Sequence, residues 1–373
     1  MRYTVTCLTP TLVGDGRKLA PIDYMVWRDQ VNVLDQQRIF RLLAKGPRLE
    51  GYLAQLKKAD KLDFASWGGF AQNYSERRIP FEHPSSTQFW QRTNALDLFI
   101  PTFATGPRGP YLPATSIKGA LRTAVVHARA NEQLLKQAAA KAGEGRSIRQ
   151  ATHALEDSVL GSSGNDEMRA VSAADSDPIS ADAFKIYLLR VSTMEARGGG
   201  KPELAWKTSP RGAVRKADDS TPIFAEMAPP GVTFTGEWQE RALPRRRNGA
   251  DRAGFFRQAN RYSKDVIRLH RQYAEAAGLT LLVSSMDDLT AKLDGLGEGG
   301  DSCMLPLGWG AGFFSKTAFS DTKDPVLREV LKQLPFYSRA IQSGLPFPKT
   351  RRIVLLNNQP ATVAGFVQLT IAA

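Results

Sequence analysis

The chain has 373 residues, 50 Lys+Arg against 37 Asp+Glu for a formal charge of +13, and 42% hydrophobic and 23% charged residues. That length suits two domains of roughly 150 residues each and a core without staples, and the composition excludes wholesale disorder. The two cysteines, Cys7 and Cys303, exclude a disulfide framework and a cysteine-based zinc site and suit a reducing compartment.

The opening MRYTVTCLTP lacks a long apolar run and a small-residue cleavage site, so no signal peptide is expected. Tyr3, Val5 and Cys7 alternate with Arg2, Thr4 and Thr6 and predict a strand. A loop follows through Pro10, Gly14 and Gly16. Ile22–Trp27 and Val31–Leu34 flank Arg28-Asp29-Gln30 as a hairpin, and Gln36–Ala44 and Arg48–Ala59 read as helices. Ala95–Ile100 reads as a short strand. A helix is expected from Thr115 or Ser116, either of which can N-cap it. Its apolar face is Ile117, Ala120, Leu121, Ala124, Val125 and Ala128, and it fades through the alanine-rich stretch before Gly143. Another helix covers Ile148–Leu160.

Beyond residue 165 strands dominate: Met168–Ala173, Ala183–Thr193, Ile223–Met227 and Val232–Trp238, with a loop or protruding hairpin over Arg197–Val214. Phe255–Ala277 is the strongest helix, closed by Gly278. Met286–Leu293 and Val326–Leu334 are short helices. The last uncharged run, Ile353 to Ala373, is long enough for a bilayer. Its Asn357-Asn358-Gln359-Pro360 interruption makes it two strands joined by a turn. The protein is expected to be soluble and cytoplasmic, without membrane association. The mixture has no strict βαβα alternation, so the fold class is α+β, with a domain boundary near 165 (1–165 and 166–373).

The positive charge is concentrated. From Arg241 to Arg271 there are ten Lys/Arg and two Asp/Glu, a net +8. Part is the loop cluster Arg241, Arg245, Arg246 and Arg247. The rest lies on the long helix, where Phe255, Ala259, Tyr262, Val266, Leu269 and Tyr273 form one apolar stripe. Arg257, Arg261, Lys264, Arg268 and Arg271 repeat that spacing two residues later, about 200° around the helix. They face away from the core, either toward a polyanion or acidic protein, or simply toward solvent.

A second feature is Leu307-Gly-Trp-Gly-Ala-Gly-Phe-Phe-Ser-Lys316. Gly308, Gly310 and Gly312 would let a ligand approach the main chain, Trp309, Phe313 and Phe314 could stack on bases, and Lys316 could reach a phosphate. The alternative is a tight turn with aromatics in the core. The segment lacks the Walker A pattern. A third is the helix start, where Lys118 and Arg122 sit in the first two turns beside free N–H groups, an arrangement favoured when an anion is bound, or else simply tolerated at a solvated end.

Catalytic constellations are sparse. His83, His127, His153 and His270 form no metal-ligand pair, and no nucleophile elbow is present. No metal or cofactor is expected. Asp15 and Asp23 flank the first glycine loop; either could hold a divalent cation near a phosphate, or simply cap its own turn.

Four segments resemble a known family. Leu8-Thr-Pro-Thr-Leu-Val-Gly-Asp-Gly16, followed by Leu19-Ala-Pro-Ile-Asp-Tyr24, looks like the opening of the repeat-associated RAMP proteins of CRISPR systems. Tyr111–Arg122 is similar to their Ser-x-Lys-Gly-x-x-Arg helix start, and Leu307–Lys316 to their glycine-rich loop. Phe347-Pro-Lys-Thr-Arg-Arg352 resembles the late basic motif of one subgroup, the capping subunit of type III-A (Csm) effector complexes. The resemblance implies two ferredoxin-like, RRM-related RAMP domains with inserted helices and loops. It also implies a non-catalytic subunit that caps the filament at the 3′ end of the CRISPR guide RNA and packs against the repeating backbone subunit. Support for guide maturation by recruited nucleases, and for antiviral defence, is implied as well. Carried over, Gly14, Gly16, Ser116, Lys118, Arg122, Gly308, Trp309, Gly310, Gly312, Phe313, Lys316, Arg351 and Arg352 meet RNA. The 257–271 stripe matches no motif and faces RNA or a neighbouring subunit. In related backbone subunits a loop aspartate cleaves target RNA. Asp23 falls near that position, which leaves a metal-dependent endoribonuclease as the alternative.

Overall fold

The computed structural model describes residues 1–58, 73–143, 148–162, 164–196, 202–210, 212–242, 251–297, 300–342, 345 and 347–372. The fold is α+β. A first antiparallel sheet runs in the order Ser302–Pro306, Phe366–Ala372, Arg2–Cys7, Thr233–Glu240, Val171–Ala173. The N-terminal strand lies between the C-terminal strand and Thr233–Glu240, with Val5 opposite both Leu369 and Phe234. This sheet is therefore assembled from both sides of the boundary expected near residue 165.

A second sheet is built on Lys185–Glu195, whose first half pairs with Ile223–Met227 and whose second half pairs with Glu203–Lys207. Its other edge takes Thr350–Leu356, then Gln359–Thr362. The final uncharged run thus holds three strands rather than two. Asn357 and Asn358 (φ 50° and 62°) make the tight turn, a left-handed pair that asparagine tolerates better than most residues. The hairpin expected from Ile22–Trp27 and Val31–Leu34 forms as Tyr24–Trp27 and Gln30–Leu34 and gains a third strand, Ser75–Pro80. It packs Tyr24, Val31 and Ile79 against Ile186, Leu188 and Phe224 of the second sheet. Arg77 pairs there with Glu226, a fully buried carboxyl whose pKa burial raises against the pull of Arg77.

The helices follow local signals. Asp251 accepts from the Gly254 amide at 2.8 Å and starts the long helix Arg252–Ala277; left-handed Gly278 (φ 67°) ends it. The expected apolar stripe is buried except for half-buried Leu269, and Ser263, Ile267 and His270 widen it. The helix after it is longer than expected, Thr280–Asp294, because Leu282, Met286, Leu289 and Leu293 continue one buried face. The central helix, Ala114–Arg129, does not fade out. Ala130 is extended, and Asn131 Oδ1 accepts from the Leu134 amide at 2.9 Å, so Glu132–Gly143 is a separate helix. Ala95–Ile100 is not a strand: Asn94 caps a 3₁₀ turn at Ala95–Asp97, and only Ile100–Pro101 is extended. Met168 likewise lies in a 3₁₀ turn before a short strand, Val171–Ala173. Of the expected loop or hairpin at Arg197–Val214, Glu203–Lys207 and Ala213–Val214 pair; the glycine run 198–200 lies outside the described residues. Among the described residues, no helix is long and apolar enough to cross a membrane.

Candidate nucleic-acid interface

Three of the four singled-out segments converge. The Leu12 carbonyl accepts from the Trp309 amide at 2.7 Å, Pro10 O accepts from Gly365 N at 3.1 Å, and Leu307 N donates to Gly365 O at 2.8 Å. The first loop, the glycine-rich loop and the turn before the last strand therefore interlock through main-chain bonds. Beside them, the start of the strand Thr350–Leu356 brings Arg351 and Arg352 against the glycine-rich loop. The glycine-rich loop and these two arginines bound a cleft of about 450 Å³ that also reaches His270 and Lys316; Gly14 and Gly16 of the first loop are not in its described lining.

The glycines do different jobs. A Cβ on Gly308 (φ +84°) would lie 2.3 Å from the Leu12 carbonyl oxygen, so this glycine permits the chain to pack on itself. Gly310 (φ +91°) faces Ala364 Cβ at 3.2 Å. Only Gly312 (φ +86°) leaves open space where its side chain would be. In the first loop a Cβ on Gly14 would meet Thr102 O at 2.8 Å, whereas Gly16 is open. The expectation that all three glycines of the loop open the main chain to a ligand is thus narrowed to Gly312.

The aromatic side chains divide as well. Phe313 packs edge-to-face on Tyr337 and Phe347, with ring centroids 5.5 and 5.2 Å away, and belongs mainly to a small apolar cluster. Trp309 is half-buried and carries the Arg352 guanidinium over its ring at 4.8 Å. Lys316 and Arg352 are exposed, and neither enters an ion pair among the described residues.

Arg351 is 8% exposed. Its Nη1 donates to Pro348 O at 2.7 Å and Thr350 O at 2.9 Å, and the guanidinium lies 4.5 Å from the Tyr273 ring and 5.0 Å from the Phe314 ring. Its Nε has no partner, and no carboxylate pairs with it among the described residues. Burial lowers its pKa to about 10, which leaves it charged at neutral pH. Beside it His270, 2% exposed, has no partner at either ring nitrogen among the described residues; burial, then the charge of Arg351, lowers its pKa to about 3. His270 is therefore neutral. The linear sequence shows His270 as an isolated histidine and Tyr273 only as part of the apolar stripe, yet Tyr273 is one of two rings that clasp Arg351. The other is Phe314, which is buried and packs on Arg351, so the expectation that it stacks on bases is corrected. The one available signal was the position of His270 within the buried helical repeat.

The fourth segment stands apart. The central helix starts at Ala114 with Pro113 as its cap residue, not at Thr115 or Ser116. Ser116 Oγ bonds back to Pro113 O at 2.6 Å, and the Asp175 carboxylate already accepts from the Ala114 amide at 2.8 Å. Arg122 is held by Glu156 at 3.0 Å and Asp166 at 2.7 Å. Lys118 is half-buried and enters no ion pair among the described residues. The same helix reaches the end of the glycine-rich segment at His127, whose Nδ1 lies 2.7 Å from Ala318 O. Lys118 is nine residues earlier, about 13 Å along the axis.

The basic stripe points outward as expected, but the next helix supplies acids that the linear sequence hides. Lys264 meets Asp294 at 3.3 Å, and Arg271 meets Asp287 at 2.6 Å and also Glu275. Arg268 meets Asp265 at 3.3 Å. Arg257 and Arg261 are exposed and enter no ion pair among the described residues. Arg245, Arg246 and Arg247 lie outside the described residues.

Both oxygens of Asp23 are engaged: Oδ2 accepts from the Ala20 amide at 2.7 Å and Oδ1 from Gln36 Nε2 at 2.9 Å. Asp15 accepts from the Arg17 amide at 3.0 Å. Each is a turn aspartate. Among the described residues, no group of three or more His, Cys, Asp or Glu could hold a metal ion.

The family model described as the RAMP superfamily matches residues 4–315. A chain of the type III-A Csm–crRNA–target RNA ternary complex has the same fold, with a TM-score of 0.66 at 21% identity over 99% of this chain and all of that one. Csm5 from T. onnurineus does so with a TM-score of 0.61 at 18% identity, over 99% of this chain and all of its own. No curated protein matches by sequence.

Proposed function

This chain belongs to the RAMP superfamily, and from that premise we propose that it is a non-catalytic RNA-binding subunit of a cytoplasmic type III-A CRISPR interference complex. In this reading it caps the filament at the 3′ end of the guide RNA, docks on the repeating backbone subunit and supports guide maturation by recruited nucleases. Its sheets would then be two ferredoxin-like domains, with the helices and loops as insertions.

One observation carries the reading: Arg351, a buried cation without an acid partner, forms a wall of the cleft that also holds Trp309, Gly312, Lys316 and Arg352. A buried charge without a counter-charge is costly, and a phosphate in the cleft would supply one. An aromatic face beside cations suits an unpaired strand, where stacking tolerates any base. Lys118, Ser116 and Gly16 would extend the contact, while Arg122, tied to Glu156 and Asp166, would steady the helix that presents Lys118.

The full-length protein is tested by fluorescence anisotropy on an unstructured twelve-nucleotide oligouridylate across a salt series. Lys316→Ala with Arg352→Ala is expected to weaken binding more than tenfold and to flatten the log–log salt slope by about 1.4, at roughly 0.7 per phosphate. An unaltered affinity and slope would refute the assignment of this cleft.

A further inference from the structure

Arg351 borders two clefts. Behind it, away from the glycine-rich loop, a larger cleft of about 810 Å³ opens between the long helix and the segment 320–328. Its charged lining is Arg268 from the helix, Asp321, Lys323 and Arg328 from the segment, and Arg351 itself. Lys323 is exposed and enters no ion pair among the described residues. Among the described residues Arg268 has only the exposed contact to Asp265, the kind of pair that contributes little in water. Arg328 donates to Thr322 O at 3.3 Å and Ile341 O at 3.2 Å, so it shapes the segment, and it enters no ion pair among the described residues. Among the described residues the one acid of the lining is Asp321, which accepts from the Lys323 amide at 3.0 Å. The balance of the lining is strongly positive.

We propose that this second cleft is a further phosphate-binding subsite, and that a single RNA strand entering at Trp309 passes Arg351 and continues over Arg268 and Lys323. The proposal rests on the reading of the first cleft given above. Its own support is the position of Arg351: a cation more than nine-tenths buried, unpartnered at Nε, set between the two openings. The outer basic stripe then has a local role at Arg268 alone. Arg257 and Arg261, on earlier turns of the helix, are left out of the path.

The test uses the full chain and the twelve-nucleotide oligouridylate. Arg268→Ala with Lys323→Ala removes two exposed cations from the second cleft. Arg257→Ala with Arg261→Ala removes two from the outer stripe and controls for net charge. The first pair is expected to lower affinity about tenfold and flatten the salt slope by about 1.4, while the control pair changes the slope by less than half of that. Equal effects of both pairs, or none from the first, overturn the second subsite. An acidic polyglutamate peptide that loses binding to the first pair while the oligouridylate does not would assign the cleft to a protein partner and also overturn it. If only the Lys316 and Arg352 substitutions weaken RNA binding, this inference falls and the first cleft stands. If no pair does, both fall.

Discussion

Gly308 and Gly312 look alike in sequence, yet alanine should cost them very different amounts. At Gly308 the left-handed backbone alone costs a non-glycine residue about 1–2 kcal/mol. The new methyl would also sit 2.3 Å from the Leu12 carbonyl, the acceptor of the 2.7 Å bond from Trp309 N. Backing away breaks that bond and strands buried polar groups, for about 1–3 kcal/mol more. At Gly312 only the backbone cost applies, because the added methyl meets nothing within 4 Å. An unfolding entropy of about 2.1 cal/mol/K per residue makes each kcal/mol worth roughly 1.3 °C in a chain of 373 residues. Thermal unfolding should therefore drop by about 3–6 °C in Gly308→Ala and about 1–3 °C in Gly312→Ala. RNA affinity of the folded proteins should reverse the order, because the Gly312 methyl occupies the cleft. Equal melting shifts would refute the claim that the Leu12 contact, and not a ligand, sets the residue at 308.

Two further outcomes follow from the buried and turn residues. His270 holds its pKa near 3 in the folded chain, against about 6.5 unfolded. Between those values the unfolded chain binds the extra proton, so stability should decline as pH falls from about 6.5 toward 3. Urea unfolding at pH 7 and pH 5 should show that decline, and His270→Phe should reduce it; an unchanged slope would mean another group is responsible. Asp23→Ala should lose about 1–2 kcal/mol, from the bonds to the Ala20 amide and Gln36, in the same unfolding assay. It should leave RNA cleavage in magnesium as in the parent protein; cleavage present in the parent and absent in the variant would restore the endoribonuclease reading.

Much of this was written locally. The 3.6-residue repeat of Phe255, Ala259, Tyr262 and Val266 dictated a buried helix face, and Asp251 and Gly278 fixed its ends. Alternation in Arg2–Cys7 dictated a strand, and the composition dictated a positively charged globular protein. These signals depend on neighbours within a few turns, so the linear order holds them. What the linear order could not hold was company. The acids Asp287 and Asp294 sit beside the cations of the long helix only because the following helix folds back on it. Arg122 is neutralised by residues 34 and 44 positions away. Arg351 became a wall between two clefts only when the last sheet placed it between Tyr273 and Phe314. Charge and space around a side chain are set by whatever packs against it, and in this chain those neighbours come from distant segments.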